Sequence, residues 1–275
     1  MREPTDVVDE KLRRARELAA VGDYERALVE YFWCLDHGVE HQPSFAAVQM
    51  SFLLGYIHAL GDRYLPAIQG LRQRRDTLSN TVFSGAGTER EILLFAALNR
   101  ELGEDRKTLE AYEHLRERAA RVGESVSTLL PYVVDLLLER RRYAEVLQDA
   151  GDVNAMIDHL IRRAELHSEM FAASDSTPAW YGATALRLRQ SAVDEGGGYY
   201  EALLGVRRYE EAARVSDALL RLSTTGDSFA SLIERALHAD ATAPARALVE
   251  RAQEVLPEAQ QAAIRALLER IPSPG

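Results

Sequence analysis

Apolar residues recur along this chain at spacings of three and four, and no segment sustains an alternation of two. Leu12, Ala15, Ala19 and Ala20 fall on one stripe, as do Leu28, Tyr31, Phe32 and Leu35. That period is the 3.6-residue turn of a helix rather than the pleat of a strand. Asn-Gly and Asp-Gly hairpin turns are missing, and β-branched clusters are few. The breaks between helical stretches are short and carry turn residues: Gly22-Asp23, Gly38, Gly61-Asp62, Gly103-Glu104, Gly123, Gly151-Asp152 and Gly226-Asp227. Glycine just past a helix end takes the left-handed conformation without a steric penalty. Helix starts are marked as well. Thr88-Glu89-Arg90-Glu91 is a capping box, Ser176-Thr177-Pro178 places a hydroxyl before a first-turn proline, and Asp227 with Ser228 can open a later helix. The pattern predicts an all-α chain of about fifteen helices joined by tight turns, the signature of stacked antiparallel pairs.

Charge narrows the partners. The 275 residues carry a net charge of −10, against which a phosphate backbone or an anionic membrane surface would be repelled. Hydrophobic residues make up 47%, enough for a packed core. Lys11 and Lys107 are the only lysines, and the arginine bias runs through the whole chain, as codon bias in a GC-rich genome would produce. Cys34 is the only cysteine, so neither an internal disulfide nor a multi-cysteine zinc site is expected. The first residues lack the profile of a signal peptide, and the longest apolar runs are interrupted by Gln49, His58 and Asp135. A cytoplasmic protein is the expectation.

The spacing of the pairs is the most specific signal. Val21-Gly22-Asp23-Tyr24-Glu25-Arg26-Ala27-Leu28, followed by Tyr31 and Leu35 and preceded by Ala15, sets a turn, an aromatic and small residues at fixed offsets. Val206-Arg207-Arg208-Tyr209-Glu210-Glu211-Ala212-Ala213 repeats it clearly. Between them lie weaker copies around Leu60-Gly61-Asp62-Arg63-Tyr64, Leu102-Gly103 and Arg141-Arg142-Tyr143; the first of these has one extra turn residue, the second lacks the turn aromatic and the third lacks the glycine. This pattern resembles the tetratricopeptide repeat, although the copies recur at about 40 residues rather than the usual ~34. The resemblance implies a right-handed superhelical array of helix pairs with degenerate central repeats and a C-terminal helical cap. It spans roughly residues 6–150 and 198–222. Residues 1–150 are then the repeat array, and 151–275 are degenerate helices and capping helices continuous with it. Glu195-Gly196-Gly197-Gly198 is expected to be an exposed loop, with a hinge as the alternative.

No stretch displays convergent chemistry. Ser84-Gly85-Ala86-Gly87-Thr88 is glycine-rich but lacks the Lys-Ser/Thr of a phosphate loop and reads as a helix connection. His159 and His167 are eight residues apart, about 12 Å along a helix, too far to share a metal. Glu165 and Glu169 lack a matching Glu-x-x-His elsewhere. Cys34, beside Phe32 and Trp33, reads as a packed thiol rather than a nucleophile. Arg72, Arg74 and Arg75 read as a solvated helix end. No cofactor and no metal are expected, and an enzyme is not.

In the tetratricopeptide family the first helix of each pair lines a concave groove that receives a peptide. Carried over repeat by repeat, the groove candidates are Leu12, Arg16, Gln49, Phe52, Tyr56, Arg90, Leu93, Arg100 and Asp135. Phe52 and Tyr56 would anchor an apolar side chain, and the arginines would pair with acidic groups. A carboxylate clamp of lysines and asparagines is not supported, because Leu12, Arg16, Leu93 and Ala97 stand at its positions. The implied role is a scaffold or adaptor that binds a segment of another protein; the chain's own terminal helix or a second copy could fill the groove instead. The alternative is a sensor whose C-terminal helices bind a small molecule or signalling peptide near Trp180, Tyr181, Tyr199 and Tyr200.

Overall fold

The computed structural model describes residues 4–122, 127–172 and 180–270, all helix and short connections with no strand among them. The helices are α1 (Pro4–Ala20), α2 (Tyr24–His41), α3 (Ala46–Val48), α4 (Leu54–Gly61), α5 (Pro66–Ser84), α6 (Glu89–Glu101), α7 (Asp105–Val122), α8 (Leu130–Glu139), α9 (Tyr143–Ala150), α10 (Val153–Ala172), α11 (Trp180–Gly205), α12 (Tyr209–Leu222), α13 (Gly226–His238), α14 (Thr242–Val255) and α15 (Glu258–Leu268). A π-helical turn, Gln49–Leu53, joins α3 to α4. Ser176-Thr177-Pro178 lies outside the described residues.

Among the described residues one tight helix-to-helix turn recurs five times; the hydrogen bonds that define it also close α5 at Gly85, where a longer connection follows. Gly22, Gly103, Arg141, Arg207 and Asp240 all have φ between 56° and 85°. The amide of each donates to the carbonyl three residues back, and the next amide donates to the carbonyl five back of its own position, as in Asp23 N to Leu18 O (2.9 Å) and Arg208 N to Leu203 O (2.8 Å). This is the Schellman motif, which satisfies the last carbonyls of one helix while reversing the chain. The next helix begins two residues later each time, at Tyr24, Asp105, Tyr143, Tyr209 and Thr242. In four of these cases the two helices pack on each other: α1 on α2, α6 on α7, α11 on α12 and α13 on α14. The chain is therefore an all-α helical-repeat protein. The turn between α4 and α5 differs: Arg63 N and Tyr64 N both donate to Leu60 O, and no left-handed residue is present. The extra residue read from the sequence accounts for this.

Two compact units form, Met1–Val133 and Val134–Gly275; sequence patterning suggests a division at residue 150 instead. In the first, Ala15 and Ala27 are fully buried where α1 meets α2, and Tyr31, Leu35, Leu53, Ile57 and Leu71 continue the core. Asp23 caps α2 by accepting from the Arg26 amide, and the Thr88–Glu91 capping box closes the start of α6. In the second unit α13 starts at Gly226 under a Thr225 cap, one to two residues before the start read from the sequence, because the Thr225 hydroxyl accepts from the Ser228 amide.

The glycine run corrects the sequence reading. Gly196, Gly197 and Gly198 are neither loop nor hinge but lie buried within α11. A β-carbon at Gly196 would stand 2.7 Å from Leu219, and one at Gly198 2.8 Å from Val134. Gly196 and Gly198 let Leu219 and Val134 approach α11 more closely than a β-carbon there would allow.

Candidate functional site

Of the nine groove candidates, eight lie in the first unit and Asp135 in the second. Arg16 is exposed at the end of α1 with its guanidinium 5.4 Å from the Tyr56 ring, and Tyr56 stacks on Tyr31 at 6.2 Å. Burial raises the Tyr31 phenol, with Arg16 opposing. Phe52 is 68% exposed in the π turn, Leu12 packs on the core, and Leu93 is half-buried. Arg100 lies 4.6 Å over Tyr132. Asp135 belongs to the second unit. Gln49 is fully buried, and it shares a pocket with Arg90. A π turn inserts an extra residue per turn and rotates everything after it; a sequence reading that assumes plain α-helix misplaces this stretch.

That pocket, about 440 Å3, lies among α2, the π turn, α5 and α6. Leu35, Leu78, Leu94 and Leu98 supply apolar walls, and Asp36, Arg74 and Arg90 supply charge. Arg74 is engaged: its Nε donates to Asp36 Oδ1 at 2.8 Å, and its guanidinium lies 3.6 Å over Phe32. Arg90 makes no ion pair among the described residues.

The second unit holds a larger trough, about 820 Å3, that sequence reasoning missed apart from Asp135. It runs across α8, α11 and α13 and is lined by Asp135, Glu139, Asp194, Glu201 and Glu234. Arg141, Arg235 and His238 are the basic groups in its lining. Glu201 is 2% exposed, and burial raises its carboxyl above the ordinary range although Arg235 and His238 pull the other way. Arg235 bridges the two carboxylates nearest it, Asp135 at 2.7 Å and Glu201 at 3.2 Å. Burial disfavours its charge, but this pairing outweighs burial and raises its pKa. Asp194 accepts from Gln190 and Ser231, and among the described residues neither it nor Glu139 makes an ion pair. The one sequence signal was a lone carboxylate, Glu201, inside the apolar run Tyr199-Tyr200-Glu201-Ala202-Leu203-Leu204.

Other sites of sequence interest are structural. Cys34 is fully buried, 3.9 Å from the Val8 carbonyl oxygen, and burial pushes its thiol up to about 11. The Arg72–Arg75 cluster is not simply a solvated helix end: Arg75 is 3% exposed and donates to Asp76, Asn99 and Glu104. Ser84–Thr88 is a helix connection in which Gly85 takes φ 69° and Arg118 donates to the Ser84 carbonyl. Tyr199 and Tyr200 are core residues at 1% and 2% exposure rather than pocket walls; the side chains of Trp180, Tyr181 and His167 lie outside the described ones. Arg163 pairs with Glu195. Among the described residues no group of three or more His, Cys, Asp or Glu is placed to hold a metal, and no helix is long and apolar enough to cross a membrane.

No family model matches this chain, and no curated protein matches it. Among solved structures it is similar to a tetratricopeptide repeat protein from Parabacteroides merdae, at 14% identity over 96% of this chain and 98% of that one, with a TM-score of 0.29. At that score the superposition carries no weight, and the helical-repeat class rests on the chain's own five turns.

Proposed function

We propose that this chain is a non-catalytic scaffold that receives a basic segment of another protein in the trough of its second unit. The observation that supports the reading is the charge of that trough. Helices α8 and α11 present carboxylates, Glu139 and Asp194, that no cation among the described residues pairs with. Arg235 does not oppose a basic segment, because Asp135 and Glu201 already compensate it. Carboxylates aligned on successive repeat helices suit lysine or arginine side chains spaced along a peptide, and the same field repels nucleic-acid phosphates. The floor, formed by Leu138, Tyr143 and Leu237, adds apolar contact.

The test is affinity purification from the native cells with cross-linking and mass spectrometry, using wild type and Glu139→Lys/Asp194→Lys. Both substitutions are on exposed positions. A partner held by wild type and lost from the double variant, with cross-links on α8, α11 and α13, is the expected result. A partner held equally by both, or cross-links gathered around Phe52 and Tyr56, would return the site to the first unit and sink this reading.

A further inference from the structure

We propose that the pocket of the first unit binds a small amphipathic acid bearing a hydrogen-bond donor on an apolar body, of which an N-acylated apolar amino acid is the simplest case. Gln49 is the reason. Its Nε2 donates to the Leu35 carbonyl at 2.5 Å, and this fixes the amide orientation, since a flipped amide would set two oxygens against each other. Its Oε1 is buried and has no partner. A buried acceptor without a donor is destabilising, so native structures seldom keep one without a use for it. The group that satisfies it must donate, which a carboxylate cannot do and an amide N–H can.

The surroundings specify the rest of the molecule. Leu35, Leu78, Leu94 and Leu98 suit a branched or aromatic apolar body. Arg90 is half-buried and has no ion pair among the described residues, so it is the cation left for a carboxylate; Arg74 is committed to Asp36. The volume, about 440 Å3, falls in the range of small-molecule sites, roughly 300–1,000 Å3. The ligand therefore has three parts: a neutral donor for Gln49, an apolar side chain for the leucines and an anion for Arg90. This site lies in the other unit from the acidic trough, so either proposal can fail without the other.

Isothermal titration calorimetry with N-acetyl-leucine, its methyl ester and its N-methylated amide analogue tests it on the full chain. The wild type should bind N-acetyl-leucine. Removing the ligand's charge as the ester, or the cation as Arg90→Ala, should each weaken binding by about tenfold, the weight of one charged hydrogen bond. The N-methyl analogue, which lacks the N–H, should bind about tenfold more weakly to wild type and equally well as N-acetyl-leucine to Gln49→Met. Thermal unfolding of each variant distinguishes a lost contact from a lost fold; Arg90 is half-buried and makes no ion pair among the described residues, so its replacement should leave Tm nearly unchanged. No heat and no ligand-induced rise in Tm at millimolar N-acetyl-leucine would overturn the proposal. So would equal binding of the N–H and N-methyl forms by wild type, or binding indifferent to Arg90→Ala.

Discussion

Gly198 of α11 meets Val134 of α8 so closely that a β-carbon on the glycine would stand 2.8 Å from Val134 Cγ1. Val134 is stiff at its branched β-carbon and 7% exposed, so it cannot turn away. One residue earlier, at Gly197, the nearest atoms to such a β-carbon are Arg235 Cγ at 3.5 Å and Leu232 Cδ2 at 3.7 Å, ordinary contacts.

These neighbours should therefore answer the same substitution with opposite signs. Gly198→Ala should lose about 1–3 kcal/mol by overpacking. Gly197→Ala should gain up to about 1 kcal/mol from the better helix propensity of alanine. Urea unfolding of both variants measures this. Similar stabilities would mean that α8 and α11 do not approach as closely as described.

Arg207 is exposed and holds φ 64° at a helix-reversing turn. Glycine relieves that strain, worth about 1–2 kcal/mol, and gives back part of it as unfolded-chain entropy. Arg207→Gly should stabilise by about 0.5–1 kcal/mol, whereas Arg221→Gly, in the last turn of α12, should destabilise by about as much. A lower urea midpoint for Arg207→Gly would count against the turn geometry.

Hydrogen bonds from Lys107 and Arg75 hold the Glu104 carboxyl down at about 2, against an ordinary 4.5. A depressed carboxylate stabilises the fold above its unfolded value, and that contribution drains away as pH falls from about 4.5 toward 2. Glu104→Gln should lower stability at neutral pH and flatten its fall across that acid window. Glu201, whose pKa is raised, works in the opposite sense, so the difference between variant and wild type isolates Glu104 better than either curve alone. Parallel curves would show that Arg75 is satisfied without Glu104.

Four of the five recurring turns were legible: glycine marks those at Gly22 and Gly103, and the tyrosine that opens the next helix, Tyr143 or Tyr209, marks those at Arg141 and Arg207, while the one at Asp240 had no mark. At Arg141, Arg207 and Asp240 the residue type does not favour positive φ; there the left-handed conformation is imposed by the helices on either side, and Arg141 and Asp240 also pair with each other. Glycine misled in the other direction at Gly196–Gly198, where its use is the absence of a side chain rather than freedom of φ. The site followed the same division. The resemblance to a repeat helix placed Gln49 on a groove face, whereas Gln49 is fully buried at the start of the π turn. Arg75 looked solvated beside Arg72 and Arg74 until Asn99 and Glu104, distant in sequence, closed over it.

What this sequence determines by itself is local: where helices start and stop and which faces are apolar, because caps, turns and 3.6-residue periodicity act within a few residues. That suffices to define an all-α repeat chain. The tertiary structure decides which polar groups are buried together, because those partners come from separate helices. Glu201 meets Arg235 across 34 residues and Arg75 meets Asn99 across 24. The acidic trough and the Gln49 pocket exist only once those helices have packed, since burial and the proximity of distant charges arise with the packing.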